Sequence, residues 1–271
     1  MYIYLIQNNI KYFKNKGVAS MKDSKILKVF EQFIKKFDMN KGNVKAMYFH
    51  SIKMMELCKD IASNLGIFTE EEITLCGLIG LFHDIGSFSN KLKNVLTLED
   101  NTDKSRESIE ILFETDKLMR SVIEDNKYDD IVKIAIYCQN KNGLPKGFDT
   151  KVLHFCMVIK DAHVLENFRM VTNYPYMDMH IDNFPNDLVY NDFKKYRVIS
   201  SKVSDNDADK ILEVMSLVFG MHYPYSYKLL KEEDSVNKLV DALKISNKNI
   251  SKFFTQIGGV LNLFIDRKIG G

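Results

Sequence analysis

Four prolines in 271 residues leave this chain with few obligatory breaks, and that scarcity constrains the fold more than any other single feature. Inside a helix each proline removes a backbone donor and collides with the preceding turn. A chain this poor in them can run helix after helix, and its plentiful Lys, Glu, Leu and Met favour that state over many short strands. Hydrophobic residues make up 45%, enough to bury a large core, and no Ser-, Gly- or Pro-rich linker divides them. The expectation is an all-α fold. It comprises a peripheral extension over 1–20 and a single helical bundle over 21–271, with its motif core at 43–170 and C-terminal helices at 190–271.

Local signals set the expected helices. One covers about Asp23–Phe37, and a second covers about Val44–Ser63 after the break at Lys41-Gly42-Asn43. The run Thr69-Glu70-Glu71-Glu72 is a capping-box pattern that opens a helix reaching Asp84, with Gly86 as a stop. Shorter helices follow at about Lys104–Glu114, Lys117–Asp125 and Asp129–Gln139, and Lys141–Gly147 is a turn by composition. A long helix then runs from Lys151 to about Val171. Thr172–Asp192, rich in Tyr, Asn, Asp and Pro, reads as an irregular excursion, either a lid or a surface loop. Helices resume at Asn206–Phe219, Tyr225–Leu243 and Ile250–Lys268.

Charge excludes one class of partner. With 38 Lys and Arg against 36 Asp and Glu, and the signs interspersed, there is no basic stripe for duplex nucleic acid. A small anionic substrate needs only a few local lysines. Cys58, Cys76, Cys138 and Cys156 form no CxxC pair and sit in apolar helical contexts. They read as reduced core thiols of a cytoplasmic protein. No apolar run reaches transmembrane length, and the start of the chain lacks the features of a signal peptide. No membrane partner is expected.

The chemistry concentrates in a few residues. A lone histidine on an apolar face is usually structural, which is the reading for His154, His180 and His222, and would be for His50 alone. The adjacent pair His83-Asp84 shifts the balance, because it closes the apolar run Leu75–Phe82. A carboxylate there costs free energy unless it is paired, hydrogen-bonded or bound to a metal. Neighbouring helix residues point about 100° apart, so one ion between them can take an imidazole nitrogen and a carboxylate oxygen. His50 lies mid-helix in an apolar setting, and Asp161 closes the apolar run Val152–Ile159. Together His50, His83, Asp84 and Asp161 would form a site of two nitrogens and two oxygens. That mix suits one divalent ion of manganese, iron, cobalt, nickel or zinc better than calcium, with positions left for water and a substrate oxygen.

The segments YFHSIKMMELC, ITLCGLIGLFHDIGSF and LHFCMVIKDAHVLENF, in the order His, His-Asp, Asp, resemble the HD-domain superfamily, most closely its single-domain bacterial members. The likeness covers roughly Asn43–Phe168. It implies a helical metal-dependent phosphohydrolase with His50, His83, Asp84 and Asp161 as ligands. Asp84 would also orient or deprotonate the attacking water, and a nucleotide or other small phosphorylated molecule would be the substrate.

The chain departs from that pattern at four places. Lys104 and Gln139 stand where many relatives carry two further histidines, and Ser87 and His163 stand where they often carry Arg and Lys. On one reading a single ion binds, and Lys104, Gln139 and Lys53 (one turn beyond His50) contact the substrate, the lysines as point charges for phosphate. On the other, Lys104 is a solvated helix-start residue and Gln139 a polar filler. The protein is then a non-catalytic HD protein that uses the pocket for ligand sensing or structure.

Overall fold

The computed structural model describes residues 21–88, 102–139, 141, 143–173 and 180–270, so the extension expected at 1–20 lies outside the described residues. Twelve α-helices follow one another among them. The first half holds α1 (Met21–Ile34), α2 (Gly42–Leu65), α3 (Glu70–Phe82), α4 (Thr102–Glu110), α5 (Leu118–Val122) and α6 (Asp129–Cys138). The second half holds α7 (Thr150–Asn173), α8 (Asp187–Lys194), α9 (Asp207–Ser216), α10 (Pro224–Glu232), α11 (Ser235–Ala242) and α12 (Lys248–Gly270). The described residues contain no strand, only an isolated bridge between His180 and Lys244. None of their helices is long and apolar enough to cross a membrane.

α3 shows how the sequence builds the centre of the molecule. The Thr69 hydroxyl accepts from the Glu72 amide while the Glu72 carboxylate accepts from the Thr69 amide, a reciprocal cap that fixes where the helix begins. From Leu75 to Phe82 every residue is buried, so this helix has no solvent face along its second half. The five large apolar side chains there each contribute about 1.5–3 kcal/mol of burial.

α2 lies against α3, and a glycine sets how close they come. A Cβ on Gly80 would stand 2.5 Å from the Met54 carbonyl oxygen, so only glycine allows this approach. Gly86 does the same for α4, since a Cβ there would meet the Ser108 amide nitrogen at 2.9 Å. The Gly86 amide itself donates to the Ser108 hydroxyl at 3.0 Å. α7 packs against α2, α3 and α6 on one side and α9, α10 and α11 on the other. One long helix is thus shared by the motif core and the C-terminal helices.

Three elements differ from the sequence expectation. A helix, α8, occupies part of the irregular excursion, because the Asn186 side chain accepts from the Val189 amide and caps it; residues 174–179 lie outside the described residues. The helix expected over Tyr225–Leu243 is two, α10 and α11, broken at Asp234, whose φ of 53° is left-handed. The helix expected to reach Glu114 is α-helical only to Glu110 and then widens into a π-turn over Ile111–Thr115.

Candidate metal centre

α2, the end of α3 and α7 meet at three imidazoles. His50 comes from the middle of α2, His83 from the residue that closes α3, and His163 from α7. The Nε2 atoms of His50 and His83 are 3.1 Å apart, and those of His83 and His163 are also 3.1 Å apart. Asp84 turns one carboxylate oxygen to within 3.7 Å of His83 Nε2. One ligand atom from each of His50, His83, Asp84 and His163 fits inside a sphere of contacts no longer than 4.8 Å.

The His83 proton is held on the side away from the cluster, so this ring presents a lone pair to it. His83 Nδ1 is 2.7 Å from the Gly80 carbonyl oxygen. A carbonyl can only accept, so Nδ1 carries the proton and Nε2 faces the cluster bare. His83 is fully buried, and burial pushes its pKa down to about 4 against a weaker upward pull from Asp84. Burial likewise lowers His163 to about 3. Both rings are therefore neutral near pH 7, the state in which imidazole binds metal. Three nitrogens crowded this closely cannot all satisfy one another, whereas a shared cation satisfies them together. Two nitrogens bound at about 2.1 Å on perpendicular axes stand roughly 3.0 Å apart, so the observed spacing fits an ion between them.

Asp84 is held as an anion. Burial alone would raise its pKa, but the imidazoles of His83, His163 and His50, as they gain protons at low pH, and the Lys104 cation outweigh it and hold the carboxyl at about 2. Gln139, at the end of α6, donates from Nε2 to the Asp84 Oδ1 at 3.0 Å and to the His83 carbonyl at 3.3 Å. Its Oε1 is buried without a hydrogen-bond partner. Lys104 is also buried, on the first turn of α4, which is not the solvated position that one reading of the sequence gave it.

Of the residues the sequence singles out, His50, His83 and Asp84 come together, with Gln139 and Lys104 beside Asp84. Asp161 does not join them. It lies two residues from His163 on α7, about 200° around the helix axis, and its fully buried carboxylate is used elsewhere. It accepts from the His222 amide at 2.9 Å, the Tyr223 amide at 3.0 Å and the His222 imidazole Nδ1 at 2.9 Å, the last two residues before α10. Among the described residues, the group that could hold a metal ion therefore takes His163 as its fourth member, offering three nitrogens and one oxygen in place of two and two. Lys53 also stays apart, its ammonium 2.8 Å from Glu56 on the same helix. His154 and His222 serve structure, His154 by its 2.8 Å contact with the Tyr223 hydroxyl. Helical spacing is the signal that separates the two: Ile159, His163 and Glu166 form one stripe of α7, and Asp161 is on the opposite one.

The HD-domain family model matches residues 47–167, a span that starts just before His50 and ends just after Glu166. With the helical fold and this cluster, the match supports assigning that segment to the HD-domain superfamily. Comparison with curated proteins and with solved structures gives no match.

Proposed function

We propose that this HD-domain chain is a phosphohydrolase that uses one divalent ion, held by His50, His83, Asp84 and His163, to cleave a small phosphate ester such as a nucleotide. The convergence of three imidazole nitrogens and one carboxylate oxygen is the observation that carries the reading. Characterised members of the superfamily are mostly metal-dependent phosphohydrolases. A nitrogen-rich set favours iron, cobalt, nickel or zinc over manganese, and all of these over magnesium or calcium.

A divalent ion in this site supplies Lewis-acid charge that polarises a phosphoryl oxygen and lowers the pKa of water. The chain's own groups do the rest. Asp84, held anionic at about 2, accepts a hydrogen bond from the attacking water and orients it, while being too weak a base to hold its proton for long. Gln139 fixes the Asp84 carboxylate through Oδ1, which leaves Oδ2 for the ion or the water. Lys104 brings a cation that attracts a phosphoryl group. The same cation opposes a second metal ion, since an ammonium has no lone pair to give. Lys53, engaged with Glu56 at the surface, has no part in this step.

A second reading rests on burial. The His83 side chain is 0% exposed and that of Asp84 13%, a narrow opening that suits a non-catalytic centre used for ligand sensing or structure. Elemental analysis after reconstitution, followed by a panel of phosphomonoesters and nucleotides, separates the two. The proposed function expects metal-dependent phosphate release that falls by about a thousandfold or more in Asp84→Ala. A metallated protein that turns over nothing on the panel favours the second reading.

A further inference from the structure

Behind the cluster, on the side of His50 away from the other imidazoles, two buried groups face each other unsatisfied. His50 directs Nε2 toward His83, so its Nδ1 points outward, where it is buried and has no hydrogen-bond partner. The nearest anion is Glu166, one turn beyond His163 on α7, whose Oε1 lies 3.7 Å from that Nδ1. Glu166 is 4% exposed and its other oxygen, Oε2, also lacks a partner. Leaving a buried carboxylate and a buried ring nitrogen unpaired is costly. A bond between them would satisfy the His50 nitrogen. At 3.7 Å the pair is too long for a hydrogen bond, and about 0.8 Å of approach makes one.

We infer that Glu166 is the positioning residue of His50: its carboxylate accepts the Nδ1 proton and thereby aims the Nε2 lone pair at the metal. The arrangement repeats what the Gly80 carbonyl does for His83, with one difference. A carboxylate carries charge, so it makes His50 a stronger donor than a carbonyl would. It also returns to the centre the negative charge that a ligand set with a single carboxylate lacks. His163 and Glu166 lie on one stripe of α7, so the helix that supplies the third imidazole also orients the first.

The inference rests on the metal-centre reading, and the test keeps the two apart. Nitrogen-15 NMR of the histidines in metal-free wild-type protein reports which His50 nitrogen carries the proton. Cobalt(II) titration against a chelator reports affinity in wild type, Glu166→Ala and Glu166→Gln, with thermal melting as the check on folding. The expected result is Nδ1–H in wild-type His50, and a cobalt affinity reduced about 10–100-fold in Glu166→Ala. Glu166→Gln, whose amide oxygen can still accept, should recover most of that loss. A wild-type His50 protonated on Nε2, or a Glu166→Ala variant that binds cobalt within twofold of wild type, overturns the inference. Wild type that binds no cobalt sinks the metal centre instead, while the metal-free tautomer still decides whether Glu166 holds His50. If Glu166→Ala does not fold, the near-isosteric Glu166→Gln and the wild-type spectrum carry the decision.

Discussion

Replacing Asp161 with alanine separates two roles that a buried acid near a metal could play. In the structure its carboxylate accepts from the His222 amide, the Tyr223 amide and the His222 ring. The ring is partly exposed and can turn to water, but the two amides lose their acceptor. Each costs about 1–3 kcal/mol when left unsatisfied, so the variant should be destabilised by about 2–5 kcal/mol. For a chain of this length that corresponds to a melting temperature lower by roughly 5–15 °C. Metal binding by the folded fraction should change by no more than about threefold, because the perturbed contacts lie on the opposite face of α7. His163→Ala should do the reverse, with metal affinity falling at least about a hundredfold and the metal-free melt moving little. Calorimetry and cobalt titration on both variants read the two quantities. An Asp161→Ala protein that melts like wild type but binds no metal would refute the assignment of His163 over Asp161.

His163→Asp restores a second carboxylate, and competition titrations should show manganese gaining on zinc by about tenfold; an unchanged ratio would mean that His163 is not a ligand. Gly80→Ala drives a methyl to within 2.5 Å of the Met54 carbonyl oxygen. Urea denaturation should then show a loss of at least about 1–3 kcal/mol, with weaker metal binding as α2 and α3 part. Burial lifts the Glu213 carboxyl to about 6 against a smaller lowering by the Ser204 hydroxyl. The folded state therefore holds that proton more tightly than the unfolded chain, and stability falls as pH rises from 4.5 to about 6. Glu213→Gln should match wild type near pH 4 and exceed it at pH 7, as chemical denaturation at the two pH values would show.

Much of this architecture is legible because its causes are local. Thr69 and Glu72 sit three residues apart and cap the helix the pattern announces, and the apolar run after them ends on His83 and Asp84. The choice between Asp161 and His163 is different in kind. An acid closing an apolar run looks the same in sequence whether it meets a metal or a pair of amides, and here the amides come from His222 and Tyr223, some sixty residues later. Glu166 is hidden for the same reason, since His50 lies on another helix. The left-handed turn at Asp234 has no glycine to mark it, so the sequence pattern runs as one helix where there are two.

α7 is also an axle. One side carries His163 and Glu166, and the opposite side is bolted through Asp161 to the chain entering α10. The His163 Nε2 stands roughly 6–7 Å from the helix axis, so a turn of about 10° would sweep it through about 1 Å. A displacement of that size is enough to spoil a reacting geometry. Torque applied at His222 and Tyr223, some sixty residues from His163 in sequence, would therefore arrive at the candidate metal centre as a change in its geometry.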